Sequence, residues 1–135
     1  MKTYTMPEIA DRFEEAVKTL KRMPSAKAQG YFNTWPAIVR TALEVEGMEP
    51  EKLRLGPPTA EAIGRMEETI QWIFLLDTED ERRLIWLRAA RVQWKPICYR
   101  LGVGRTTAYH MWRVALLTIV TRLNAKRSGG RNVRT

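Results

Sequence analysis

Apolar residues return every three or four positions along most of this chain, the spacing that lines one face of an α-helix. The strict alternation of a half-buried strand is nearly absent. Ile9, Phe13, Val17 and Leu20 form the first stripe. Thr5 and Glu8 supply a Thr-x-x-Glu capping box ahead of it, Pro7 stands in the first turn, and Pro24 closes the helix. TWPAIVRTALEVEG, residues 34–47, predicts a second helix with Thr34 as cap, Pro36 in the first turn and Gly47 as stop. A third follows Thr59, with Ile63, Met66, Ile70, Ile73 and Phe74 as its inward stripe.

Thr78 and Glu81 make a second capping box, and the carboxylates at 77 and 79–81 favour a helix amino terminus there. This fourth helix runs through RRLIWLRAAR with Leu84, Ile85 and Leu87 inward. A short fifth begins near Pro96 without a favoured capping residue and ends before Gly102. The sixth starts at Arg105 and is expected to reach Asn124, about 30 Å at 1.5 Å per residue. The expected fold is therefore all-α. A helical amino-terminal region, 1–77, precedes a three-helix unit, 78–124, and a basic, glycine-containing tail, 125–135, has nothing to bury and is expected to be flexible.

Within the three-helix unit, ICYRLGVGRTTAYHMWR, residues 97–113, meets the demands of a helix-turn-helix. Two helices that cross at a wide angle need apolar side chains where they touch and a turn that allows a positive φ. Ile97, Leu101, Val103, Ala108 and Met111 fall on the positions expected to be buried, Cys98 fills the slot that admits only a small side chain, and Gly102 occupies the turn. With Ala108 and Met111 inward, Arg105, Thr106, Tyr109, His110 and Arg113 point outward, with Thr107 at the margin. An arginine can pair bidentately with guanine, a threonine can bond a base or meet a thymine methyl, and a tyrosine commonly bonds phosphate. Arg105, at the amino end, is expected on a guanine and Arg113, deeper along the helix, on a phosphate.

Charge sharpens this picture. The chain carries +8 overall, but residues 1–81 hold ten Lys/Arg against fifteen Asp/Glu, whereas 82–135 hold thirteen basic residues and no acid. An acid-free stretch of that length makes a continuous positive field suited to a polyanion. It also leaves His110 without a carboxylate of that stretch to orient it as a catalytic base, so a phosphate contact or an exposed position without a role is expected instead.

The segment DERRLIWLRAARVQWKPICYRLGVGRTTAYHMWRVALLTIVTRL, residues 80–123, resembles the carboxy-terminal DNA-binding region of bacterial sigma factors. That resemblance implies a supporting helix before a helix-turn-helix whose last helix enters the major groove while earlier helices touch phosphates. On it, Arg105, Thr106, Tyr109, His110 and Arg113 match the base-facing side, and Lys95, Arg100 and Arg91 the phosphate contacts. Gly104 departs from the pattern by standing where a capping serine is usual, and Trp94-Lys95-Pro96 replaces a polar helix entry. Nothing in the chain resembles a region that reads a −10 element or binds the polymerase clamp. Over YFNTWPAIV, GPPTAEAIGRMEETIQWI and WKPICYRLGVGRTTAYHMWR it is similar to a family of small, functionally undefined proteins of proteobacteria and their phages.

The remaining features exclude more than they add. One cysteine and one histidine rule out a disulfide framework and a Cys/His zinc site. There is no phosphate-cradling loop in a strand context, so neither an enzyme nor a cofactor is expected. MKTYTMPEIADRFEE has no apolar core and VALLTIV is too short to span a bilayer, so a cytoplasmic protein with no membrane partner is expected. Trp35, Trp72, Trp86 and Trp112 lie on or beside apolar stripes and are expected to be buried; Trp94 is open. Leu116, Leu117, Ile119, Val120 and Leu123 extend the last helix as a wide apolar surface that the amino-terminal helices or a second copy must cover.

The expected function is sequence-specific binding of double-stranded DNA by a transcriptional regulator. Residues 1–77 would serve for oligomerisation or docking of a transcription or packaging partner, and Lys126 and Arg127 of the tail would add phosphate contacts. The alternative is a phage DNA-packaging component resembling a small terminase subunit, which would assemble as a ring.

Overall fold

A computed structural model of the chain describes residues 3–23 and 57–132, the last six by their backbone alone. The helix expected over residues 34–47, with Trp35, lies outside the described residues. Among them, the chain forms five α-helices and no strand: α1 (Met6–Arg22), α2 (Ala60–Trp72), α3 (Glu79–Ala89), α4 (Trp94–Leu101) and α5 (Arg105–Asn132). The fold is all-α, and no described helix is long and apolar enough to cross a membrane.

The helix starts follow local chemistry. Thr5 accepts from the Glu8 N–H while Glu8 accepts from the Thr5 N–H, and Thr78 and Glu81 repeat this reciprocal box at the head of α3. Thr59 caps α2 through the Ala62 N–H at 3.1 Å. The end of α3 is less conventional. Arg91 takes a left-handed backbone, φ 64°, so that its N–H reaches the Arg88 carbonyl and the Val92 N–H reaches that of Leu87. This is the bonding of a Schellman motif, in which glycine is the usual left-handed residue.

One core draws on residues from both sides of residue 77. Ile9, Phe13, Val17 and Leu20 of α1 are buried with Met66, Ile70 and Trp72 of α2, Leu84 to Leu87 of α3, Ile97 of α4, and Leu116, Ile119 and Leu123 of α5. α1 lies against α2, α3 and α5. The amino-terminal helix therefore covers the wide apolar face of α5, leaving Ile119 at 0% and Leu123 at 9% exposure. Two polar links fasten the same arrangement. Asn124 accepts the Tyr4 N–H at 2.9 Å and donates back to the Tyr4 carbonyl at 3.2 Å. Arg122 donates to both Asp77 carboxylate oxygens at 3.1 Å and to the Leu75 carbonyl.

Several expectations are corrected. α2 gives way at Ile73 to a single 3-10 turn, Ile73–Leu75. Its three residues per turn swing Phe74 outward, to 55% exposure, and bury Leu76 instead. Leu117 is also exposed, on the side of α5 away from α1. α5 does not stop at Asn124, and residues 125–132 are helical rather than a flexible tail. Ala125, Lys126 and Arg127 are good helix formers, each adding a backbone bond to an established helix, and basic residues suit its carboxy-terminal end. The 28 residues of α5 span about 42 Å.

Candidate nucleic-acid interface

α4, a glycine-containing turn and the start of α5 form the helix-turn-helix. Gly102, at φ 71° and ψ 32°, reverses the chain, and its N–H and that of Val103 both bond the Cys98 carbonyl, at 2.8 and 3.2 Å. Gly104 opens α5 by accepting the Ala108 N–H at 2.9 Å. Having no side chain, Gly104 offers no cap to the first-turn N–H groups of α5. Ile97 and Ala108 are completely buried between the helices. Leu101, Val103, Met111 and Cys98, expected to be buried, are only half-buried, because α4 is two turns long and its outer side has no neighbour to close over them. Trp112 is likewise half-buried, whereas Trp72 and Trp86 are in the core.

Arg105, Thr106, Thr107, Tyr109, His110 and Arg113 are all exposed. They do not share one role in the geometry. At about 100° per residue, Thr106, His110 and Arg113 fall within about 60° of each other, in the middle of the outward side. Arg105 and Tyr109 lie on the flank facing α4. The Tyr109 ring sits 5.8 Å from both Trp94 and Trp112, and those two indoles are 6.0 Å apart, so three aromatic rings close the junction between α4 and α5.

Lys95 and Arg100 are exposed on α4 beside Tyr99, which is 89% exposed. Arg91 is exposed but turned towards α1, where it pairs with Glu14 at 3.4 Å. Lys126 is far from these groups: 21 residues of α5 put it about 30 Å from Arg105, against Tyr4, Phe74 and Leu123. Arg127 lies within the backbone of α5, and its side chain is outside the described residues.

The carboxylates of residues 1–81 pair with arginines from both halves of the chain. Arg12 pairs with Glu68, Arg65 with Glu15, Arg83 with Glu79, and Arg122 with Asp77. Among the described residues, Lys95, Arg100, Arg105 and Arg113 enter no salt bridge. Four cations without a carboxylate partner thus stand together at the helix-turn-helix; Lys18 on α1 and Lys126 near the end of α5 also enter no salt bridge.

Sequence reasoning missed Arg88, which reaches from the end of α3 into this region. Its guanidinium lies 4.4 Å over the Trp94 ring, Nη1 donates to the Val92 carbonyl at 2.7 Å, and Nε is buried without a hydrogen-bond partner. Burial pushes its pKa below the ordinary arginine value; Glu14 opposes this, and the charges of Arg105 and Arg91 add to it. With Gln93, Trp94, Lys95, Cys98 and Arg105, Arg88 lines a cleft of about 540 Å³ between α3, α4 and the amino end of α5. The only signal for it in the sequence is an arginine six residues before a tryptophan in an acid-free stretch.

Among the described residues, no three His, Cys, Asp or Glu side chains come together as a metal site. No curated protein and no solved structure matches the chain. Residues 21–119, which run from the end of α1 through the helix-turn-helix and into α5, match the model of a domain of unknown function, DUF6362, and the chain belongs to that family.

Proposed function

We propose that this protein is a cytoplasmic transcriptional regulator that binds duplex DNA in a sequence-dependent manner through α4, the turn and the first half of α5. The observation that carries this reading is the gathering of unpaired cations, Lys95, Arg100, Arg105 and Arg113, around one exposed polar helix face. Positive charge of that density meets the phosphate backbone, and an α-helix fits the major groove. Thr106 and Arg113 are about 10 Å apart along α5, a rise that covers about three base pairs.

Thr106, His110 and Arg113 take the base edges in this reading. Arg113 bonds a guanine bidentately, and the Thr106 methyl and hydroxyl meet a thymine or a base acceptor. Arg105 and Tyr109, on the flank, take the backbone with Lys95 and Arg100 from α4. This reverses the roles expected for the two arginines from sequence, because Arg105 is turned towards the cleft and away from the centre of the face. The resemblance of residues 80–123 to the DNA-binding region of sigma factors supports the entry of α5 into the major groove, although it implies a base-facing place for Arg105 and Tyr109 as well.

Selection of bound sequences from random duplexes, with the mass of the protein measured in solution, tests the proposal. A shared motif bound by a monomer or dimer is the expected result, with affinity falling steeply as salt rises. A selected pool without a motif, or a flat salt response, overturns specific DNA binding. A ring of many copies overturns the regulator and favours packaging.

A further inference from the structure

The cleft between α3, α4 and α5 has features that an ordinary surface groove lacks. Three cations, Arg88, Lys95 and Arg105, line it from three different helices, and no carboxylate does. Like charges lining one cleft repel one another while they stand alone. An anion placed among them would turn that repulsion into attraction. Arg88 is also held in place, stacked on Trp94 and bonded to Val92 through one of its five N–H donors, so that fixing its geometry costs little at binding. Its partial burial strips water from the charge and strengthens any ion pair made there.

From this geometry we infer that the cleft is a binding site for a phosphate ester, held by Arg88, Lys95 and Arg105 with the Gln93 side chain as a further polar partner. A tetrahedral dianion or diester, with oxygens on several sides, matches a cleft lined by three cations from three helices. The volume, about 540 Å³, far exceeds a bare phosphate and leaves room for an organic part beside it. Trp94 supplies an apolar wall for the organic part. The ester has two sources, a phosphate of the DNA backbone or a free phosphorylated molecule. The inference shares Arg105 with the DNA-binding reading, but it is tested first without DNA.

In the full-length protein labelled with ¹⁵N, the arginine Nε–Hε signals are followed while inorganic phosphate, and then adenosine monophosphate, replaces chloride at constant ionic strength. Saturable shifts are expected at Arg88 and Arg105 but not at the carboxylate-paired Arg65 and Arg122. Adenosine monophosphate should bind more tightly than phosphate. Lys95→Ala, an exposed position whose loss spares the core, should weaken both about tenfold, the loss of one charge-assisted hydrogen bond. No saturable shift at Arg88, or equal shifts at all four arginines, overturns the site. Duplex DNA is then added to the phosphate complex. Displacement of the anion identifies the backbone as the source; a duplex that binds and leaves the anion in place identifies a free ester. If no duplex binds, the DNA-binding reading fails while the anion site stands.

Discussion

The ring of Phe13 on α1 stands edge-on to the indole of Trp86 on α3, with centroids 5.0 Å apart and planes at 83°. Both side chains are almost completely buried. This contact joins the acidic amino-terminal helix to the helix that supports the helix-turn-helix, so the two regions should unfold together. Phe13→Ala is expected to cost about 3 to 5 kcal/mol, by lost burial and the cavity left behind. Urea denaturation followed by tryptophan fluorescence and by circular dichroism should give one coincident, shifted transition. A loss below about 1 kcal/mol would mean that the site collapses around the missing ring.

Asp77 and Arg122 lead to a pH prediction. The hydrogen bonds from Arg122, and then its charge, hold the Asp77 carboxyl below the usual aspartate value. A depressed folded-state pKa contributes stability that is present above the unfolded value, about 3.9, and is lost as pH falls through the folded one. Melting temperatures of the wild type and Asp77→Asn should therefore differ near neutral pH and converge as pH falls through the lowered folded-state pKa. Both groups are exposed, so salt should also narrow the gap. A gap that stays constant with pH would assign it to the lost geometry and not to the charge.

Arg91 occupies a left-handed position where glycine is the usual residue. Relief of that conformation outweighs the greater freedom of glycine in the unfolded chain, so Arg91→Gly should raise stability by up to about 1 kcal/mol. The lost pair with Glu14 is exposed and subtracts little. If the charge serves DNA, the same variant should bind all duplexes more weakly. Denaturation and binding measured on one preparation would show the two effects with opposite signs.

Truncation after Asn124 removes the end of α5 beyond Leu123, the last buried side chain among the described residues, and keeps the Asn124 bonds to Tyr4. The melting temperature should barely change. Affinity for DNA should fall without altering sequence preference only if Lys126 and the residues after it reach phosphates, across about 30 Å from Arg105. Unchanged affinity would assign that end of the helix to another partner.

Arg113→Ala should cost about 1 to 3 kcal/mol on the preferred site and relax discrimination at one base pair. Arg100→Ala should weaken every sequence alike and shallow the salt slope by about one unit. Both side chains are exposed, so both variants should fold. Binding against a panel of single-base changes at two salt concentrations separates them, and sequence-independent losses for both would move the reading face away from Arg113.

What could be read from sequence was local. The boxes at Thr5 and Thr78 involve residues three apart, the α1 stripe repeats one helical period, and Gly102 marks its own turn. The errors arose where winding or tertiary packing intervened. A change from 3.6 to 3 residues per turn after Trp72 sent Phe74 outward. Gly129 and Gly130 argued for an end to α5 that an established helix passes over. Arg91 carries no turn signal, because its conformation is imposed by the end of α3. Arg88 read as one more charge on a helix, since its meeting with Trp94, Lys95 and Arg105 exists only once three helices have packed.

The shared core has a further consequence for whether this helix-turn-helix can be moved to another protein. In an autonomous helix-turn-helix the reading helices bring their whole apolar lining with them, and the unit can be spliced between proteins. Here Trp86, Ile119 and Leu123 are closed over in a core that includes α1. A graft of residues 78–124 onto another protein would carry an open greasy flank and no lid for it. The helix-turn-helix thus depends on its amino-terminal helix for a closed core, and under the proposed reading a change in preferred sequence is made by substitution on the outer face of α5, not by exchange of the unit.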